Sequence, residues 1–183
     1  MKTIQKITKV LMKVLEIIHW VGAALMIGAA VSALAAPQWL GMFIGMDAAG
    51  NRTELSCYGF EIMAEVSGGK VDTKSLVLFT VCSVLLLGLM AMVFRNLYLL
   101  FKQSEGATPF QKENVRLLKE IGIFSISIPV IGLIMSGIAR LVLGFDAEIS
   151  VEVDGFIMGL VVLCLTQFFA HGVELEQDVD GLL

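Results

Sequence analysis

Two histidine–glutamate pairs are the residues of this sequence best suited to bind a metal ion or haem iron. Glu16 and His19 are three positions apart, as are His171 and Glu174, so each pair shares one face of a helix. If their helices are neighbours, two imidazoles and two carboxylates meet at one depth, as a divalent metal or bis-histidine haem would require. The alternative is that they are half-solvated polar residues, paired with one another. We adopt that alternative and expect no cofactor.

Two further polar side chains fall inside long apolar runs. Arg140 lies about five residues from the end of one run, and Gln167 lies within the last run. Polar and ionisable residues at membrane depth often mark a substrate path, so with Pro129 they are candidates for a permeation pathway. In the alternative, the arginine reaches the interface over ~7.5 Å or pairs with Asp146 or Glu148. The glutamine would then bond between helices.

The segment "TPFQKENVRLLKEIG", residues 108–122, predicts an amphipathic helix that begins before the membrane. Thr108 suits an N-cap, Pro109 suits the first helical position and Gln111 completes a capping box, so we expect helix over 108–120. The basic side chains of this segment are candidates for binding anionic lipid headgroups or a cytoplasmic protein. They are Lys112, Arg116 and Lys119.

The last ten residues, 174–183, contain four carboxylates and no lysine or arginine: Glu174, Glu176, Asp178 and Asp180. One interpretation is a solvated acidic tail. The other is that the tail imitates the charge of nucleic acid and binds the basic surface of a DNA-binding protein. The net charge of −4 argues against direct binding of nucleic acid by the chain itself.

These polar groups are set in a chain that is 57% hydrophobic and 16% charged, with its apolar residues in long runs. Runs of about 20 apolar residues are long enough to cross a bilayer as helices. The prediction is therefore an all-α membrane protein, in one domain, with four transmembrane helices over about 14–36, 75–98, 121–145 and 155–173. "ALAAP" (33–37) resembles a signal-peptide cleavage site, but the apolar run before it exceeds the usual length and continues past it.

The distribution of lysine and arginine predicts the orientation. Nine basic residues lie on the side that holds the start of the first span and the connection between the second and third, and four, including Arg140, lie on the other side. Because cytoplasmic loops are enriched in basic residues, both termini are expected in the cytoplasm. The external loop 46–74 would then form a small cap, with a β-hairpin of Thr53–Cys57 and Phe60–Val66 turning at Gly59.

Small residues recur at four-residue spacing, which lets helix backbones approach closely in lipid. We expect them to pack helices within the chain, with homo-oligomerisation as the alternative. The residues concerned are Ala24, Gly28 and Ser32 in the first span, and Gly155 and Gly159 in the fourth.

"PFQKENVRLLKEIG" before an apolar span, together with "FFAHGVELEQDVDGLL" at the end of the chain, resembles an uncharacterised family of small bacterial four-helix inner-membrane proteins, catalogued as a domain of unknown function. Members often end in an acidic stretch followed by Leu-Thr, whereas this chain ends in "VDGLL". Members are frequently encoded beside a small helix-turn-helix regulator of the Cro/CI type. The resemblance thus implies a regulator as partner, and it supplies no catalytic residues.

The sequence contains no phosphate-binding loop, nucleophile elbow or zinc-protease motif, and its three cysteines are far apart. We therefore expect a non-enzymatic, multi-pass protein of the bacterial inner membrane that binds or sequesters a cytoplasmic helix-turn-helix regulator. A small transporter and a haem or metal protein using His19 and His171 are the alternatives.

Overall fold

A computed structural model describes residues 2–35, 52–67, 70–105, 108–144 and 153–180. Four long helices account for most of this part of the chain: α1 (Lys2–Ala35), α2 (Thr73–Gln103), α3 (Lys112–Leu143) and α4 (Val153–Asp180). Each is long and apolar enough to cross a membrane. The prediction of four such helices is confirmed.

The helices extend beyond the apolar runs from which they were predicted. α1 begins at Lys2 rather than near residue 14, and α4 continues to Asp180 rather than ending near residue 173. The α1 extension contains four lysines together with leucine, methionine and glutamine, and the α4 extension contains glutamate, leucine and glutamine. These residue types favour helix even where no bilayer is needed to enforce it. Apolar runs therefore define the candidate spans and not the helix ends.

The start of α3 differs from the predicted capping box at Thr108. The helix begins at Lys112, and the first backbone bond joins the Val115 amide to the Gln111 carbonyl at 3.1 Å. Thr108 instead donates a hydrogen bond to Glu176, at 3.1 Å. Prediction of the cap from local spacing failed because a partner on α4 takes the threonine hydroxyl.

The predicted hairpin is present. β1 (Arg52–Cys57) pairs antiparallel with β2 (Phe60–Ser67), and β3 (Lys70–Val71) adds a short third strand beside β2. Tyr58 and Gly59 form the two-residue connection with φ of 47° and 74°. Positive φ at both positions is the geometry of a type I′ turn, whose twist matches that of paired strands. Residues 46–51 and 145–152 of the predicted outer loops lie outside the described residues.

The chain divides into two compact units. The first combines residues 1–19, 89–127 and 153–183, and the second combines 20–88 and 128–152.

In the second unit, the sheet packs on the end of α1 and the start of α2. Ala33, Ala64, Val71 and Leu76 form a buried cluster. Phe60 of β2 stacks on Phe79 of α2, with ring centroids 6.2 Å apart. Asp72 caps α2, because its carboxylate accepts a hydrogen bond from the Ser75 amide at 3.1 Å.

The packing face of α1 in this unit is not the predicted one. Ala24, Gly28 and Ser32 are exposed, whereas Ala23, Ala30 and Ala33 are buried. A Cβ added at Gly28 would meet no atom within 4 Å. Ala33 of the buried face packs against the sheet and α2. Four-residue spacing alone could not indicate which of two small-residue faces has a neighbour. Homo-oligomerisation through Gly28 stays a prediction.

Candidate functional site: the charged ends of the helices

The first unit contains most of the predicted site residues, and polar contacts join its successive helices. Between α1 and α2, the Lys9 ammonium donates to both carboxylate oxygens of Glu105, at 2.7 and 2.8 Å. One turn further along α1, Lys13 lies 5.3 Å from the centre of the Tyr98 ring. These contacts place α1 and α2 side by side and antiparallel in this unit.

Glu16 and His19 are occupied by structural contacts. Glu16 is buried and pairs with Lys13 at 2.9 Å. His19 is also buried, donates from Nδ1 to the Leu15 carbonyl at 2.7 Å, and packs against Phe94 with ring centroids 5.0 Å apart. These contacts are what a satisfied polar residue in a helix interface makes.

The two predicted ligand pairs do not gather into a metal centre. His171 is on α4, where Nδ1 lies 3.4 Å from the Glu174 carboxylate, so this pair is local. Across the described part of the chain, no three histidine, cysteine, aspartate or glutamate side chains lie close enough to bind a metal ion together. A site using all four of Glu16, His19, His171 and Glu174 is therefore not formed in this arrangement.

Between α2 and α3, two asparagines make the buried contacts. Asn96 donates to the Glu120 carboxylate at 2.9 Å. Asn114 is 0% exposed, and its amide nitrogen lies 3.0 Å from the Pro109 carbonyl and 3.4 Å from the Ser104 hydroxyl. Asn114 thus hydrogen-bonds both ends of the α2–α3 connection to the first turn of α3. Residue spacing within one helix could not predict these contacts.

The three basic side chains in the first turns of α3 differ in whether they have ion-pair partners. Arg116 pairs with Glu113 and approaches Glu120 at 3.9 Å, so carboxylates of its own helix neutralise its charge. Lys112 and Lys119 are exposed. Neither lysine makes an ion pair or hydrogen bond with the described residues.

α3 and α4 cross at two glycines. A Cβ added at Gly159 would lie 2.5 Å from Ile126 Cγ1 and 2.9 Å from the Gly122 carbonyl oxygen. One added at Gly122 would lie 2.7 Å from the Leu163 side chain. Both backbones therefore depend on glycine for their close approach. Gly159 was among the predicted packing residues, Gly122 was not, and Gly155 is half-buried.

Beyond this crossing, aromatic and polar contacts fix the end of α4 to the segment before α3. The Phe110 ring packs on Phe169, with centroids 5.5 Å apart, and fills the space beside Gly172. Glu176 accepts the Thr108 hydrogen bond. Glu174 and Asp178 are exposed, and the Glu174 side chain is 75% exposed.

A groove opens beside α4, and we call it the α3–α4 groove. Its volume is about 580 Å³. It is lined by Lys119 of α3 and by Leu163, Thr166, Gln167, Ala170, His171 and Glu174 of α4. Gln167, predicted as an intramembrane polar candidate, is thus brought together with Lys119, His171 and Glu174. Sequence reasoning missed this grouping because it joins residues predicted for three different purposes.

Arg140 lies in the second unit, near the end of α3, and is exposed. Its role in a permeation path stays a prediction, as does haem binding by His19 and His171. Comparisons with protein-family models, curated proteins and solved structures gave no match to this chain.

Proposed function

We propose that this chain is a non-enzymatic, multi-pass protein of the bacterial cytoplasmic membrane, with both termini inside, that binds a small basic regulator of the helix-turn-helix class. Four apolar helices support the membrane assignment. The excess of lysine and arginine before α1 and between α2 and α3 supports the orientation. The class of partner comes from the family resemblance described above.

The observation that supports partner binding most directly is the helical, acidic end of α4. Glu174, Glu176, Asp178 and Asp180 all lie in its last two turns, and no basic residue lies in the last turn. Asp178 and Asp180, in the last turn, oppose the helix dipole at a cost of about 0.3–1 kcal/mol each. Helix stability therefore does not explain this end, whereas attraction of a cationic protein surface does.

Neutralising the acidic end of α4 should remove the partner. The variant changes Glu174→Gln, Glu176→Gln, Asp178→Asn and Asp180→Asn together, and the measurement is quantitative mass spectrometry of proteins that co-purify with the tagged full chain in mild detergent. We expect the amount of one small co-purifying DNA-binding protein to fall about tenfold or more, which corresponds to a loss of about 1.4 kcal/mol in binding free energy.

The matched control neutralises four carboxylates elsewhere, at Glu54, Glu61, Glu65 and Asp154, and should keep the partner. If both variants retain it equally, the acidic end is not the binding surface. Absorbance of the same preparations checks the haem alternative, since a Soret band in the purified protein would favour that function over this one.

A further inference from the structure

The α3–α4 groove lies where both of its helices change from apolar to charged. On α3, Lys119 precedes the apolar stretch that begins at Ile121. On α4, the apolar stretch ends at Ala170, and His171 and Glu174 follow. From Leu163 to Glu174 the groove wall covers twelve residues of helix, or about 16 Å. That length matches a lipid headgroup with the first part of an acyl chain.

The groove presents charges of both signs that do not neutralise each other. Lys119 has no ion-pair partner among the described residues, although Glu174 lines the same groove. Glu120, the carboxylate next to Lys119 in sequence, is engaged by Asn96 and lies near Arg116. A ligand with an anionic and a cationic group could satisfy Lys119 and Glu174 together.

The apolar surroundings favour a lipid over a soluble ligand. Leu163 and Ala170 form the apolar part of the groove wall. On the same helix Phe168 is 73% exposed, and Val161 and Leu165 are about half exposed. Large apolar side chains at this density are accommodated by hydrocarbon rather than by water.

We propose that the α3–α4 groove binds the phosphoethanolamine headgroup of a membrane phospholipid. Lys119 donates to the phosphate, Glu174 accepts hydrogen bonds from the ammonium, and Gln167 donates to the phosphate or an ester carbonyl. Leu163 contacts the first methylenes of one acyl chain. This site rests on the membrane placement proposed above but not on the protein partner.

Native mass spectrometry of the purified full chain tests this site. The protein is titrated in non-ionic detergent with phosphatidylethanolamine or phosphatidylglycerol of identical acyl chains. We expect one phosphatidylethanolamine to be retained, with an apparent affinity about tenfold higher than that for phosphatidylglycerol, because only the former supplies an ammonium. Lys119→Ala should weaken both lipids about tenfold or more. Glu174→Gln should abolish the preference for phosphatidylethanolamine, because the ammonium loses its carboxylate acceptor.

Lys102→Ala, which removes an exposed lysine of α2 outside the groove, is the matched control and should behave as the wild type. Equal retention of both lipids by the wild type, or wild-type retention by Lys119→Ala, overturns the proposal. Displacement of the lipid by an equal concentration of glycerophosphoethanolamine would show a soluble ligand instead. Because this assay contains no protein partner, its failure is separable from loss of the regulator.

Discussion

Replacing Gly159 by alanine is expected to destabilise the protein by about 1–3 kcal/mol, the usual cost of overpacking a well-packed interface. The new methyl group would lie 2.9 Å from the Gly122 carbonyl oxygen and 3.0 Å from the Ile126 amide nitrogen. Both are backbone atoms and cannot move aside by a change of rotamer. α3 and α4 must therefore separate locally, which loosens the first unit where they cross.

Thermal unfolding in detergent, monitored by circular dichroism, measures this effect. For a chain of this size, each kcal/mol of destabilisation lowers the unfolding midpoint by about 2–4 °C, so the midpoint should fall by roughly 2–12 °C. Gly132→Ala is the matched control on α3, because Gly132 is buried but a Cβ there would meet nothing within 4 Å. It should be neutral or stabilising by about 0.5–1 kcal/mol, the usual gain of alanine over glycine in a helix. Equal effects of the two substitutions would contradict close packing at Gly159.

Replacing Asn114 by aspartate should loosen the α2–α3 connection strongly. The change removes the amide hydrogens that bond the Pro109 carbonyl and the Ser104 hydroxyl, and it adds a carboxylate at a fully buried position. An unpaired buried polar group costs about 1–3 kcal/mol, and a charged one costs more. Local opening of this connection should therefore become at least about tenfold more frequent.

Limited proteolysis with trypsin measures that opening, because Lys102 and Lys112 flank the connection. The full-length band of Asn114→Asp should disappear about tenfold faster than that of the wild type. Ser104→Ala provides the milder comparison, since its hydroxyl is one of the two partners of the Asn114 amide. If Asn114→Asp and the wild type are cleaved at the same rate, Asn114 does not hold the connection closed.

Local sequence pattern predicted the elements that depend on local physics. Long apolar runs identified all four helices, because only helix satisfies backbone groups over such a length in hydrocarbon. Gly59, with residues of high β-propensity on both sides, identified the hairpin, because a two-residue turn needs positive φ. These elements can be predicted without knowing which residues pack against them.

Features that depend on neighbours could not be predicted in the same way. Thr108 matches the N-cap pattern in the sequence, but its hydroxyl donates a hydrogen bond to Glu176 instead. The small-residue stripe that contains Gly28 predicts a packing face, yet a Cβ at Gly28 would meet no neighbour. Gly122 packs against Gly159 of the next helix, and no small-residue repeat around Gly122 predicts that contact. The α3–α4 groove likewise joins Lys119 to α4 residues more than forty positions away. In each case the deciding contact is between residues distant in sequence.

Cysteine accessibility tests whether the charged ends of α3 and α4 face the cytoplasm across a membrane. The native cysteines Cys57, Cys82 and Cys164 are first replaced by serine or alanine. Single cysteines are then introduced as Glu54→Cys in β1, Lys102→Cys in α2 and Asp178→Cys in α4. All three positions are exposed in the structure.

A membrane-impermeant maleimide is added to spheroplasts, before and after permeabilisation. We expect labelling of Glu54→Cys in intact spheroplasts, and of Lys102→Cys and Asp178→Cys only after permeabilisation. Labelling of Asp178→Cys in intact spheroplasts, or protection of Glu54→Cys until permeabilisation, would contradict it. Either result would move the acidic end of α4 or the hairpin to the opposite side of the membrane and remove the proposed cytoplasmic binding surface.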